Sequence, residues 1–203
     1  MKPTLTSRFL TGALLLVAAV TLAASTANAA PITYTAILSG AAEAPPNASA
    51  GTGFALVVFD VVAHTLDVDA WFSGLTGITT ASHIHAPTAV AGVGTASVAT
   101  QTPSFIGFPL GVQSGTFSNS FDMTLPSSYR AAYLSGFGGS TAAAEAALAQ
   151  AAADGKAYLN IHTNTFPGGE IRGFLEPVPE PASLILLGTG LVGLGARRLR
   201  RRR

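Results

Sequence analysis

The sequence contains no cysteine. No disulfide framework is available to it, so its stability must come from packing and hydrogen bonds. Charge is also scarce, with Asp, Glu, Lys and Arg making up 10% of the 203 residues. The formal total of +1 hides a strong asymmetry, because eight of the eleven basic residues are Lys2, Arg8 and the six arginines from Arg197 to Arg203. Between Ala30 and Pro181 only Arg130, Lys156 and Arg172 stand against ten carboxylates, a balance of −7. A segment of that charge offers no basic face to nucleic acid. There is no internal repeat and no nucleophile elbow around a serine, and Gly92-Val93-Gly94 lacks the strand–turn–helix setting of a phosphate loop.

What the chain does have is an apolar segment at each end. Lys2 and Arg8 precede an apolar core from Phe9 to Ala24, and Ala27-Asn28-Ala29 supplies a small-residue cleavage pattern. Residues 1–29 therefore read as a secretory signal peptide cut after Ala29, with a retained anchor as the alternative. No twin-arginine pair is present, so Sec export is the simpler route. Residues 178–203 run from Val178 through Pro179-Glu180-Pro181 and the apolar stretch Ala182 to Ala196 into the terminal arginines. The positive-inside effect would hold those arginines on the cytoplasmic side of the inner membrane. Fifteen helical residues rise only about 22 Å against a hydrocarbon core of about 30 Å. Gly188, Gly190, Gly193 and Gly195 weaken that helix further. It reads as a short anchor, permanent or temporary, outside the working domain.

Residues 30–177 are long enough for one domain with a core of its own. Strand signals dominate: Ile32 to Ser39, Thr52 to Asp60, the period-2 alternation of Leu66, Val68, Ala70 and Phe72, Thr79 to His85, and Thr116 to Met123. Ala63-His64 falls at a hairpin turn, which makes His64 a solvated residue. Ala86 to Gln113 is rich in Gly, Ala and Pro, with a short strand expected at Thr95 to Thr100. Pro126 to Leu134 suggests a helical turn. Ser140 or Thr141 caps an alanine-rich helix that ends before Gly155. Lys156 to Thr163 and Glu170 to Leu175 close the domain as strands joined by the Pro167-Gly168-Gly169 turn. The expected fold is all-β, a mostly antiparallel sandwich or flattened barrel with one inserted helix.

Chemistry concentrates on three histidines. In His83-Ile84-His85 the imidazoles share one face of a strand and Ile84 takes the other. In Tyr158-Leu159-Asn160-Ile161-His162, Leu159 and Ile161 share a face and His162 lies opposite. If the two strands are neighbours, about 4.8 Å apart, His83, His85 and His162 can meet at one copper or zinc ion. Surface hydrogen-bonding histidines are the alternative. Ala86 to Gln113 holds no carboxylate, histidine or cysteine to act as a fourth ligand. Glu43, Asp67, Asp69 and Glu170 are candidate outer partners, each expected as an exposed carboxylate. Asn47-Ala48-Ser49 fits a glycosylation sequon.

Two resemblances add to this. Pro179-Glu180-Pro181, the Gly- and Leu-rich apolar stretch and the arginine cluster resemble a PEP-CTERM sorting signal. This implies a bacterial precursor held in the inner membrane, cut near that tripeptide by an exosortase and passed to the cell surface or matrix. Leu38 to Pro46, His83-Ile84-His85, Tyr158 to Thr163 and Pro167 to Gly173 resemble a CHRD domain over Ile32 to Leu175. That resemblance implies an extracellular module without an established catalytic activity, read here as a non-enzymatic binding or structural module. An extracellular polysaccharide, another surface protein and a metal ion are all open as its partner. A fainter similarity, to the copper half of Cu/Zn superoxide dismutase, implies a dismutase-like fold with His83, His85 and His162 as copper ligands. The bridging histidine, zinc loop and paired cysteines are missing, and Arg172 does not convincingly match the substrate-guiding arginine. Dismutase activity is therefore not expected.

Overall fold

The computed structural model describes residues 30–179. The expected signal peptide with its Ala27 and Ala29, the residues Glu180 and Pro181 and the apolar run after them lie outside the described residues. Eight strands form one sheet: β1 (Ile32–Ser39), β2 (Thr52–Asp60), β3 (Thr65–Ser73), β4 (Thr79–His85), β5 (Gly115–Asp122), β6 (Tyr158–Thr163), β7 (Ile171–Phe174) and β8 (Glu176–Pro177). The order across the sheet is β4-β6-β7-β1-β2-β3-β5, with β8 alongside β1. Every named strand pair is antiparallel. The sheet curls into a half-barrel, nearer to the flattened-barrel expectation than to a stack of two separate sheets.

The curl follows from alternation. Leu66, Val68, Ala70 and Phe72 of β3 are buried, as are Tyr34, Ala36 and Leu38 of β1, while the residues between them face outward. Burying one such large side chain contributes about 1.5–3 kcal/mol, so register is fixed by the inward set. A one-residue slip would turn all of it to solvent. On the outward face Ile37, Phe54 and Trp71 fall opposite one another across β1, β2 and β3. Ile37 is 79% exposed and Trp71 49%.

Helix α1 (Ala131–Ser135) follows a single 3₁₀ turn at Pro126–Ser128. The expected helical turn there is thus two pieces, broken at Tyr129 and Arg130, whose backbones are extended. Helix α2 (Thr141–Ala153) starts where the Ser140 hydroxyl accepts from the Ala143 amide, 3.2 Å away. It ends where Gly155 takes φ +67°, a conformation glycine adopts without strain. Ala144, Leu148, Ala151 and Ala152 face the core. His64 does sit in the β2–β3 turn, with φ +58°. It is not simply solvated, since its Nδ1 lies 2.7 Å from the buried Glu145 carboxylate and ties the hairpin to α2.

The segment 86–113 forms no strand at Thr95 to Thr100; only isolated bridges, His85 to Val98 and Thr100 to Tyr129, occur there. Instead the loop runs along the free edge of β4. Ala99 N–H donates to Ile84 O, Phe105 N–H to Ser82 O and Gly111 N–H to Thr79 O. An edge that would otherwise template aggregation is thereby covered. At the opposite side of this half of the sheet β7 crosses close to β1. A Cβ at Gly173 would collide with the Ile37 carbonyl, so only glycine allows that approach. Among the described residues no helix is long and apolar enough to cross a membrane.

Candidate metal centre

Strands β4 and β6 are neighbours, and their pairing sets the histidines. His83 stands opposite Asn160, and Ala81 opposite His162, so His162 is the diagonal neighbour of His83. Ile84, Leu159 and Ile161 enter the core at 1% exposure or less, which turns His83, His85 and His162 to the other face. The ring centroids of His83 and His162 are 5.2 Å apart, those of His85 and His162 5.7 Å, and those of His83 and His85 5.8 Å.

That face is not the surface. The loop over it leaves His83 only 6% and His85 only 8% exposed, which replaces the expected exposed site with an enclosed one. That loop and the turn between β6 and β7 contribute backbone rather than side chains. His83 Nε2 lies 2.7 Å from Pro103 O, His85 Nδ1 2.9 Å from Ala96 O and His162 Nδ1 2.9 Å from Pro167 O. A carbonyl only accepts, so each of those nitrogens carries the proton and fixes its ring's tautomer. The remaining three, His83 Nδ1, His85 Nε2 and His162 Nε2, have no hydrogen-bond partner. One ligand nitrogen from each ring lies within 4.8 Å of the others.

The rings are held neutral. Burial first, and then the like charges of His162 and Arg130, push His83 down to about 4 against the pull of its bond to Pro103. Burial also takes His85 down to about 4, with Ala96 opposing and His162, His83 and Arg172 assisting. His162 is lowered by burial despite its bond to Pro167. Three buried lone pairs, each ring oriented through its other nitrogen, form a donor set that can hold a borderline metal ion.

Sequence reasoning misplaced a second group of residues, a buried polar network elsewhere in the domain. Glu43 and Glu170 are buried, at 7% and 0% exposure, rather than displayed on the surface. Glu170 joins four donors: the Ser49 and Thr163 hydroxyls, at 2.6 and 2.7 Å, and the Thr76 and Gly77 amides. Burial alone would raise its pKa, but these donors together hold it below the ordinary carboxylate range. The sequon residue Asn47 spends its amide on the Gly169 and Glu170 carbonyls, at 3.3 and 3.0 Å. Glu43 lies 3.7 Å from Arg172 Nε, and burial lifts it to about 7 although Arg172 and the Ala44 amide pull it down. Asp67 and Asp69 stay on the outward face of β3 and take no part in the centre.

Arg172 is committed to structure. It donates to Ala42 O and, at 3.0 Å, to Gly94 O, and its guanidinium sits 4.7 Å over the Tyr158 ring. The one sequence signal for this network is the Pro-Pro-Asn loop after β1, too polar for a strand yet followed by a serine.

Fold and site together define a β half-barrel module with an enclosed three-imidazole pocket. The CHRD domain model matches residues 34–175, so the chain belongs to the CHRD domain family. A PEP-CTERM protein-sorting motif matches residues 177–202. That motif marks an exported, membrane-anchored precursor sorted to the cell surface and implies processing by an exosortase-type enzyme. No curated protein and no solved structure matches the chain.

Proposed function

We propose that the domain serves at the cell surface or in the matrix as a non-enzymatic binding module that holds one copper or zinc ion through His83, His85 and His162. The observation that supports this most is the convergence of three unprotonated, unpartnered imidazole nitrogens. A buried polar atom without a partner costs free energy, and three on one pocket are hard to account for unless an ion satisfies them together. In this reading a Sec-type signal peptide is removed near Ala29, and an exosortase releases the domain at Pro179-Glu180-Pro181.

Metal analysis of the purified full chain after copper or zinc loading tests the reading. About one equivalent is expected, falling below about 0.1 equivalent in His83→Ala and His162→Ala. Less than that in the unaltered chain refutes it. Fractionation of cells tests the address, and a mature protein confined to the cytoplasm would exclude it.

A second reading, contact with an extracellular polysaccharide or another surface protein, is supported by the outward row Ile37, Phe54 and Trp71. A row of aromatic and aliphatic groups reaching the outer surface of the curled sheet is unusual for a module with no partner.

A further inference from the structure

The donor set fixes more than the presence of a metal. Among the described residues the cluster consists of His83, His85 and His162 alone, with no carboxylate within it. Each free nitrogen exposes less than 1 Å² to solvent. No fourth imidazole, thiolate or carboxylate is therefore offered by the described residues, and bulk water does not reach the free nitrogens. Zinc in proteins is almost always four-coordinate, and where three protein ligands hold it, water supplies the fourth position. Divalent copper likewise favours tetragonal sets of four or more donors.

Charge points the same way. The three ligands are neutral, and the desolvation cost of an ion in a low-dielectric pocket grows with the square of its charge. Two cations act on the site, Arg130 on His83 and Arg172 on His85. Glu43 is paired towards Arg172, and Glu170 is spent on its own four donors. Among the described residues no carboxylate within the cluster compensates a second positive charge.

We infer that this pocket is built for monovalent copper, held by three imidazole nitrogens without a fourth ligand, in preference to zinc or divalent copper. The inference rests on the metal-binding reading above and narrows it. A metal–nitrogen distance of about 2.0–2.1 Å puts three nitrogens in a planar set roughly 3.5 Å apart. Nitrogens no more than 4.8 Å apart reach that arrangement if each ring moves inward by about 0.7 Å or less. Each ring stays pinned through its other nitrogen by Pro103, Ala96 or Pro167.

The test is competition on the purified full chain without oxygen. Monovalent copper is titrated against a chromophoric cuprous chelator, zinc against a zinc-sensitive dye, and divalent copper by paramagnetic resonance in air. The expected result is one monovalent copper per chain, bound about a hundredfold or more tighter than zinc. X-ray absorption should show three nitrogen neighbours and no fourth. Zinc or divalent copper bound as tightly as monovalent copper, or a fourth light-atom neighbour in the cuprous form, overturns the inference and leaves the metal-binding reading standing. No binding of any of the three overturns both. His162→Ala, at the least enclosed of the three positions, should lose the cuprous ion while keeping its thermal transition, which separates ligand loss from misfolding.

Discussion

Tyr158 lies flat against His85, with ring centroids 4.8 Å apart and planes inclined by 9°. Arg172 places its guanidinium over the same tyrosine ring at 4.7 Å, and the Tyr158 hydroxyl accepts from the Ala96 amide at 3.2 Å. Ala96 in turn supplies the carbonyl that fixes the His85 tautomer. Tyr158 thus sets both the plane and the protonated edge of one ring of the candidate site.

Replacing Tyr158 by leucine should loosen His85 and weaken metal binding by about tenfold, in line with the 0.5–1.5 kcal/mol of an aromatic stack. Phenylalanine keeps the stack and loses only the hydroxyl bond, so Tyr158→Phe should retain most of the affinity. Chelator competition on the two variants distinguishes stacking from hydrogen bonding.

Acid sensitivity follows from the histidines. His83 and His85 fall from 6.5 to about 4 on folding, so between those values the unfolded chain binds more protons. Stability then rises with pH across that window, is fully present above about 6.5 and is lost as pH falls towards 4. Glu43 works in the opposite sense. Its folded value is raised from 4.5 to about 7, so its contribution is present below about 4.5 and is lost as pH rises through 7. Urea unfolding of the metal-free chain should accordingly show a steeper acid limb in Glu43→Gln than in the unaltered protein. An unchanged slope would mean that Glu43 is already ionised in the folded state.

Glu170 is the most heavily bonded carboxylate, tying the loop before β2, the turn before β4 and the end of β6. Glu170→Ala strands four donors and should cost about 3–5 kcal/mol, the penalty for breaking a buried charged network. Glu170→Gln, which keeps an acceptor, should cost less. Denaturant midpoints of the two variants report the difference. The folded Glu170 value is lowered, so this contribution is present above pH 4.5 and disappears as pH falls through the folded value.

Trp71 is half exposed on the outward face. Trp71→Ala should change stability by less than about 1 kcal/mol while reducing retention of the released domain on cells or matrix. Loss of stability with unchanged retention would assign Trp71 to folding alone.

Much of this architecture was readable from side-chain alternation. The limits of β1, β2 and β4 and the cap of α2 coincide with the expected positions, because each is set by local chemistry: inward apolar residues, a following glycine, a serine hydroxyl. The convergence of the three histidines was legible for the same reason, since strand parity decides which face each occupies. The enclosure of those histidines was not. It is made by carbonyls of Ala96, Pro103 and Pro167, and a carbonyl leaves no trace in the identity of its residue. The burial of Glu43 and Glu170 escaped for a related reason. Ser49, a donor to Glu170, lies 121 residues away in sequence, the partner of Glu43 is Arg172 on β7, and nothing local to either glutamate announces these contacts.

The chain enters and leaves this module at one corner. The Val178 amide is bonded to the Thr33 carbonyl at 2.8 Å, so the last paired residue lies beside the first strand. Scission of the backbone anywhere beyond that amide severs no rung of the sheet. The sorting machinery can therefore snip the leash without unravelling the cargo, and a released copy and a tethered one carry the same pocket.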